Sequence, residues 1–173
     1  MEVNTPLIEA KALKKYFKLG ENRYLHAVDN INLQIYKGTT VGIVGESGCG
    51  KSTFGRTLLR LTEATSGEIL YCGENILTFG RQKMKQMRKN MQIIFQDPYA
   101  SVDPRKSVVE IIAEYMLIHH SYPTRREIFN RAAQLMDIVG LARRTANSYP
   151  HELDGGRRQR IGIARALSLN PQS

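Results

Sequence analysis

Fifteen residues, Thr39 to Thr53 (TTVGIVGESGCGKST), constrain this chain more than any others. The first six are apolar enough to read as a short buried strand. From Gly45 the sequence fits G-x-x-x-x-G-K-[ST], with Gly45, Gly50, Lys51 and Ser52 at the fixed positions. Glycines at 45, 48 and 50 let the backbone curl and turn its N–H groups inward as an anion nest. Lys51 offers a point charge for β- and γ-phosphates, and the Ser52 hydroxyl offers a ligand for Mg²⁺. The helix predicted from Lys51 to Arg60 aims the positive end of its dipole at the same anion. A plain glycine-rich turn would not need Lys-Ser-Thr in this register. The loop Gly45, Glu46, Ser47, Gly48, Cys49, Gly50, Lys51, Ser52, Thr53 is therefore a nucleotide-binding candidate.

With 173 residues the chain has room for one domain with a real core. Its net charge of +9 comes from basic pairs spread along the sequence, such as Arg88–Lys89, Arg125–Arg126 and Arg157–Arg158. No nucleic-acid-reading motif accompanies them, so a solvated surface beside anionic lipid is the expectation. No run approaches the ~18 apolar residues of a membrane span, and the polar start MEVNTPLIEAK is not a signal peptide. A cytosolic location follows as the expectation. Cys49 and Cys72 lack metal spacing and are read as free thiols, Cys49 being open to alkylation when no nucleotide covers it.

Leu7 to Phe17 and Asn30 to Ile35 read as two strands of a small antiparallel layer, with Ile31, Leu33 and Ile35 alternating. Ser66-Gly67 opens a turn into a strand over Glu68–Cys72, and Arg81 to Lys89 is expected to be helical. Met91 to Phe95 (MQIIF) suits a second buried strand. Over Ser107 to Ile118, Val108, Ile112, Tyr115 and Met116 share a helical face. Thr124 to Val139 carries a capping pair, Thr124 and Glu127, an apolar stripe of Ile128, Ala132, Leu135, Met136 and Val139, and Gly140 as a stop. A last helix is signalled by LDGGRRQRIGIARALSL, Leu153 to Leu169, ended by Asn170-Pro171. His119, His120 and His151 read as solvated.

Three further features stand in order along the chain. Gln96 follows an apolar run and opens QDPYASVDPR; a helical stretch intervenes; then comes YPHELDGGRRQRIGIARAL, Tyr149 to Leu167. With the phosphate loop they resemble the ATP-binding cassette family, and within it the ATPase subunits of oligopeptide, dipeptide and nickel importers. The resemblance covers the chain from Leu7 onward. It implies an α/β fold of the P-loop NTPase class, with an antiparallel β layer and a helical subdomain, truncated before the Walker B strand. The implied parts are a β layer and P-loop core over about 1–95, a glutamine loop and helical subdomain over about 96–156, and a signature helix over 157–173.

The resemblance also implies roles. Gly45 to Thr53 would be the Walker A loop, and Tyr16 or Phe17 the ring that stacks on adenine. Gln96 would touch Mg²⁺ or the attacking water, sharing the metal with Ser52. Asp154, Gly155, Gly156 and Arg157 would contact the γ-phosphate held by a second ATPase subunit. The implied cofactors are ATP and Mg²⁺. The implied partners are that second subunit, two transmembrane permease subunits and, indirectly, an extracytoplasmic solute-binding protein, with no nucleic acid. The expected place is the inner face of the plasma membrane. Physics agrees on one point: glycines 155 and 156 open a helix, where backbone donors attract anions.

Two departures stand out. The family usually has LSGGQ where this chain has LDGGR. A carboxylate beside a γ-phosphate should repel it, but Asp154 is a good helix cap and Arg157 lies three residues on, near enough to neutralise it. A matched swap is the expectation. The second departure is that the Walker B strand, with its Mg²⁺ aspartate and catalytic glutamate, would follow Asn170-Pro171. The chain thus reads as the front part of a longer ATPase, unable to hydrolyse ATP alone, with an open apolar strand edge. A non-catalytic module that docks on a permease or ATPase is the alternative. A DNA-repair ATPase of the same superfamily ranks last, since only about fifty residues separate Gln96 from Asp154 and they hold no sustained heptads.

Overall fold

A computed structural model describes residues 5–97 and 102–171. It divides into two compact units, Met1–Gln86 and Met87–Ser173.

In the first unit, strands β1 (Ile8–Gly20), β2 (Arg23–Ile35), β3 (Ser66–Tyr71) and β4 (Glu74–Asn75) form one antiparallel sheet in the order β2-β1-β3-β4. β1 and β2 run longer than their apolar patterns, because they continue as a hairpin whose solvated residues carry no alternation. The turn between them places Asn22 at φ 58°, a left-handed conformation that asparagine tolerates. Ser66 and Gly67, read from the sequence as a turn, already belong to β3. A bulge breaks β1 between Ala10 and Leu13, and the Asn32 side chain accepts the freed Ala12 N–H at 2.8 Å. The bulge leans on β3. A Cβ on Gly67 would lie 2.5 Å from the Ala12 carbonyl oxygen, so that position excludes a side chain.

Helix α1 (Lys51–Leu58) packs on β1 and β2 through Phe54 and Leu58, and Leu13, Ile69 and Ile76 are fully buried in the same unit. Helix α2 (Arg81–Met87) follows a turn tied by Arg60, whose Nη1 donates to the Ile76 and Phe79 carbonyls at 2.8 Å each.

Two expected strands are absent. Residues 39–44 and 91–95 belong to no ladder among the described residues, and Val41, Ile43, Val44 and Ile94 are exposed. Apolar character is local, but a buried strand is made by its neighbours on both edges. No described strand pairs with either segment.

The second unit is helical: α3 (Val108–Ile118), α4 (Arg125–Ile138) and α5 (Gly155–Leu167) pack on one another. Their shared core includes Ile111, Ile112, Met116, Leu135, Met136 and Ile161. Of the expected stripe, Ile128, Ala132, Leu135 and Met136 are buried on α4 and Val139, its C-cap, is partly buried, while Thr124 caps the helix by accepting the Glu127 N–H. Ser107 and Glu110 cap α3 reciprocally, the Glu110 carboxylate accepting the Ser107 N–H at 2.8 Å. Tyr115 is only half-buried, with the Arg165 guanidinium 5.3 Å from its ring centre. Among the described residues no helix is long and apolar enough to cross a membrane.

Candidate functional site

In the first unit the loop from Gly45 runs directly into α1. Gly48 and Gly50 take φ of 83° and 95°, the left-handed region that glycine enters without strain. At Gly50 a second constraint acts: a Cβ there would come 2.1 Å from the Ala27 carbonyl oxygen of β2. The loop is thus seated against the β2 backbone. Gly50 is also the N-cap of α1 and supplies no side-chain acceptor, so the first-turn amides of Lys51, Ser52 and Thr53 find no acceptor among the described residues. These open donors lie in the segment where the sequence leads one to expect an anion.

The Lys51 ammonium folds over the loop and donates to the Gly45 and Glu46 carbonyls at 2.8 and 2.6 Å. It also lies 3.5 Å from the Cys49 sulfur. Ser52 is exposed beside it, while Cys49 and Cys72 are both free thiols. A cleft of about 400 Å³ adjoins the loop, lined by Gly50, Lys51 and Phe54 on one side and by His26, Val28 and Leu33 of β2 on the other.

Tyr16 and Phe17 are separated by strand alternation. Tyr16 pairs across the sheet with His26, and the two rings stack at 3.8 Å with planes 9° apart. The Tyr16 hydroxyl donates to Asp29 at 2.5 Å. That bond is the first cause holding the Tyr16 hydroxyl above and the Asp29 carboxyl below their ordinary values, and Lys14, 3.5 Å away, further lowers Asp29. Phe17 pairs with Leu25 on the other face and is exposed. Neither ring lines the cleft; His26 does. A lone histidine in a polar hairpin carries no sequence signal, and only the cross-strand register brings it over Tyr16.

In the second unit Gln96 is exposed, at a bend after residues 91–95. Residues 98–101 of its QDPYASVDPR run lie outside the described residues. Asp154 caps α5: its Oδ1 accepts the Arg157 N–H at 2.8 Å, and its Oδ2 lies 3.3 Å from Arg157 Nε. The Arg157 amide chiefly, then its guanidinium and the Gly156 amide, hold the Asp154 carboxyl below the usual carboxylate range. The carboxylate therefore already covers donors of the glycine pair's helix start. A polar cleft of about 350 Å³ opens beside it, lined by Arg144, Arg157, Arg160 and Gly140.

Arg158 was not singled out by sequence pattern. It is buried, and its Nε donates to the Pro150 carbonyl at 2.5 Å, fastening the turn before Leu153 to α5. Among the described residues no group of three or more His, Cys, Asp and Glu side chains could hold a metal ion.

The ABC transporter family model matches residues 28–173. The oligopeptide transport ATP-binding protein OppF of Bacillus subtilis is 51% identical over 167 residues, covering 96% of this chain and 54% of that protein. OppF of Escherichia coli is 42% identical over 174 residues, covering 96% and 52%. The chain spans about half the length of these curated relatives. Among solved structures, the dimeric post-hydrolysis state of the ATP-binding cassette MJ0796 bound to ADP and Pi matches with a TM-score of 0.85. Identity to it is 29%, over 95% of this chain and 70% of that one.

Proposed function

The chain belongs to the ABC transporter family, and on that premise we propose that it is the ATP-binding portion of an ATPase that drives peptide import. One observation carries the nucleotide part of this reading: the open amides of Lys51, Ser52 and Thr53 at the start of α1, beneath the Lys51 ammonium. Backbone donors at a helix start, an adjacent ammonium and a flanking cleft suit a polyphosphate. The identity to oligopeptide transport proteins supports the import of peptides, with nickel as the other solute of the resembling group.

In this reading Gly45 to Thr53 hold the phosphates. Lys51 exchanges its carbonyl partners for the β- and γ-phosphates, and Ser52 would offer its hydroxyl to Mg²⁺. Asp154 to Arg157 face the γ-phosphate of a second ATPase subunit. There Asp154 competes with the incoming anion for the α5 amides, while Arg144, Arg157 and Arg160 offset its charge. Permease subunits and an extracytoplasmic solute-binding protein complete the proposed assembly, placing the chain on the inner face of the plasma membrane.

The 173 residues, tested by themselves, are proposed to bind ATP without sustained turnover. Phosphate release from MgATP tests this. Release no faster than in Lys51→Ala is expected. Sustained release that Lys51→Ala abolishes would contradict it.

A further inference from the structure

Resting on the proposal that the chain works on the inner face of a membrane, we infer that the corner where α3 turns into α4 docks on anionic lipid headgroups, through Arg125 and Arg126 with Ile118 beside them. The two arginines open α4, directly after its cap Thr124. Both are exposed, and neither has an ion pair or hydrogen bond among the described residues. By contrast, Arg105, Arg143 and Arg157 of the same unit each hold an aspartate.

Fold stability does not account for this placement. The first turn of a helix carries the positive end of its dipole, so two cations there oppose it. Residues 115–126 contain no acid to offset them. Glu114, just before, is already bound to Lys106 at 2.6 Å, which leaves Glu127 alone against the pair.

The neighbouring surface is apolar. Helices α3 and α4 pack on one another, so the end of one and the start of the other share a corner. Ile118, the last residue of α3, is 48% exposed there, and Tyr122 of the connecting turn is partly buried against the core. An aliphatic side chain flanked by arginines suits the boundary between headgroups and acyl chains, where each cation gains from the negative potential of the leaflet. Nucleic acid is the other common polyanion, but its bases stack on flat rings, and the exposed apolar group at this corner is an isoleucine.

Cosedimentation of the 173-residue chain with vesicles tests this, using phosphatidylcholine alone and phosphatidylcholine mixed with phosphatidylglycerol. Binding to the mixed vesicles only is expected. Arg125→Gln/Arg126→Gln should weaken it about tenfold or more. Urea should unfold that variant no more easily than the wild type, since the lost charges oppose the α4 dipole. Ile118→Ser should weaken vesicle binding too. A matched control on α2, Arg81→Gln/Lys85→Gln, removes the same charge elsewhere and should bind as the wild type does. The inference is overturned if the wild type binds neither vesicle or both equally, if either corner variant binds undiminished, or if the α2 control loses as much. A short DNA duplex that binds through Arg125 and Arg126 more tightly than the mixed vesicles would also overturn it. Vesicle binding is read without nucleotide, so each of these failures leaves the ATP-binding reading standing.

Discussion

Asp154 shows how one side chain can serve structure and oppose a ligand together. Its carboxylate closes the start of α5 by accepting the Arg157 N–H, which is the bond a helix terminus lacks. Because that bond and the Arg157 guanidinium depress its folded pKa, its stabilisation is fully present above the ~3.9 of an unperturbed aspartate. It is lost as pH falls through the lower folded value. Asparagine also caps helices, so Asp154→Asn isolates the charge. The stability gap between wild type and Asp154→Asn, measured by urea unfolding, should be flat from about pH 5 to 8 and shrink below ~3.9. A gap that widens on acidification would contradict the assignment. At this scale the sequence was informative where a residue's role is local: Lys51 in its register, Asp154 before two glycines, Thr124 ahead of Glu127. It was silent on His26 and Arg158, whose contacts come from what lies across a hairpin or beside a turn.

Elements were legible wherever a cap and a stripe coincide. α4 and α5 follow their sequence signals to within a residue or two, because both the capping bonds and the 3.6-residue stripe are written locally. The bulge in β1 was not legible, since it depends on Asn32 and Gly67 accepting it from two neighbouring strands. Residues 39–44 and 91–95 failed for a related reason: their composition is that of buried strands, but pairing partners decide whether a strand forms. The helical unit depends most on its core. Leu135 is 1% exposed, and Leu135→Ala should cost about 2–5 kcal/mol in urea unfolding, read through the helical signal. A loss below about 1 kcal/mol would mean the core relaxes around the change or is not packed as described.

The whole molecule is an α/β P-loop fold of the ATP-binding cassette type, an antiparallel layer with its phosphate loop in one unit and a helical subdomain carrying LDGGR in the other. The proposed functional residues divide between these units: Gly45 to Thr53 in the first, Gln96 and Asp154 to Arg157 in the second. In the first unit, the open helix amides and Lys51 are proposed to hold a nucleotide's phosphates. Equilibrium dialysis of radiolabelled ATP against the wild-type chain and Lys51→Ala tests it most directly. Saturable binding of one nucleotide per chain, lost or reduced at least tenfold in Lys51→Ala, is the predicted result. No binding by the wild type, or equal binding by both, would contradict it.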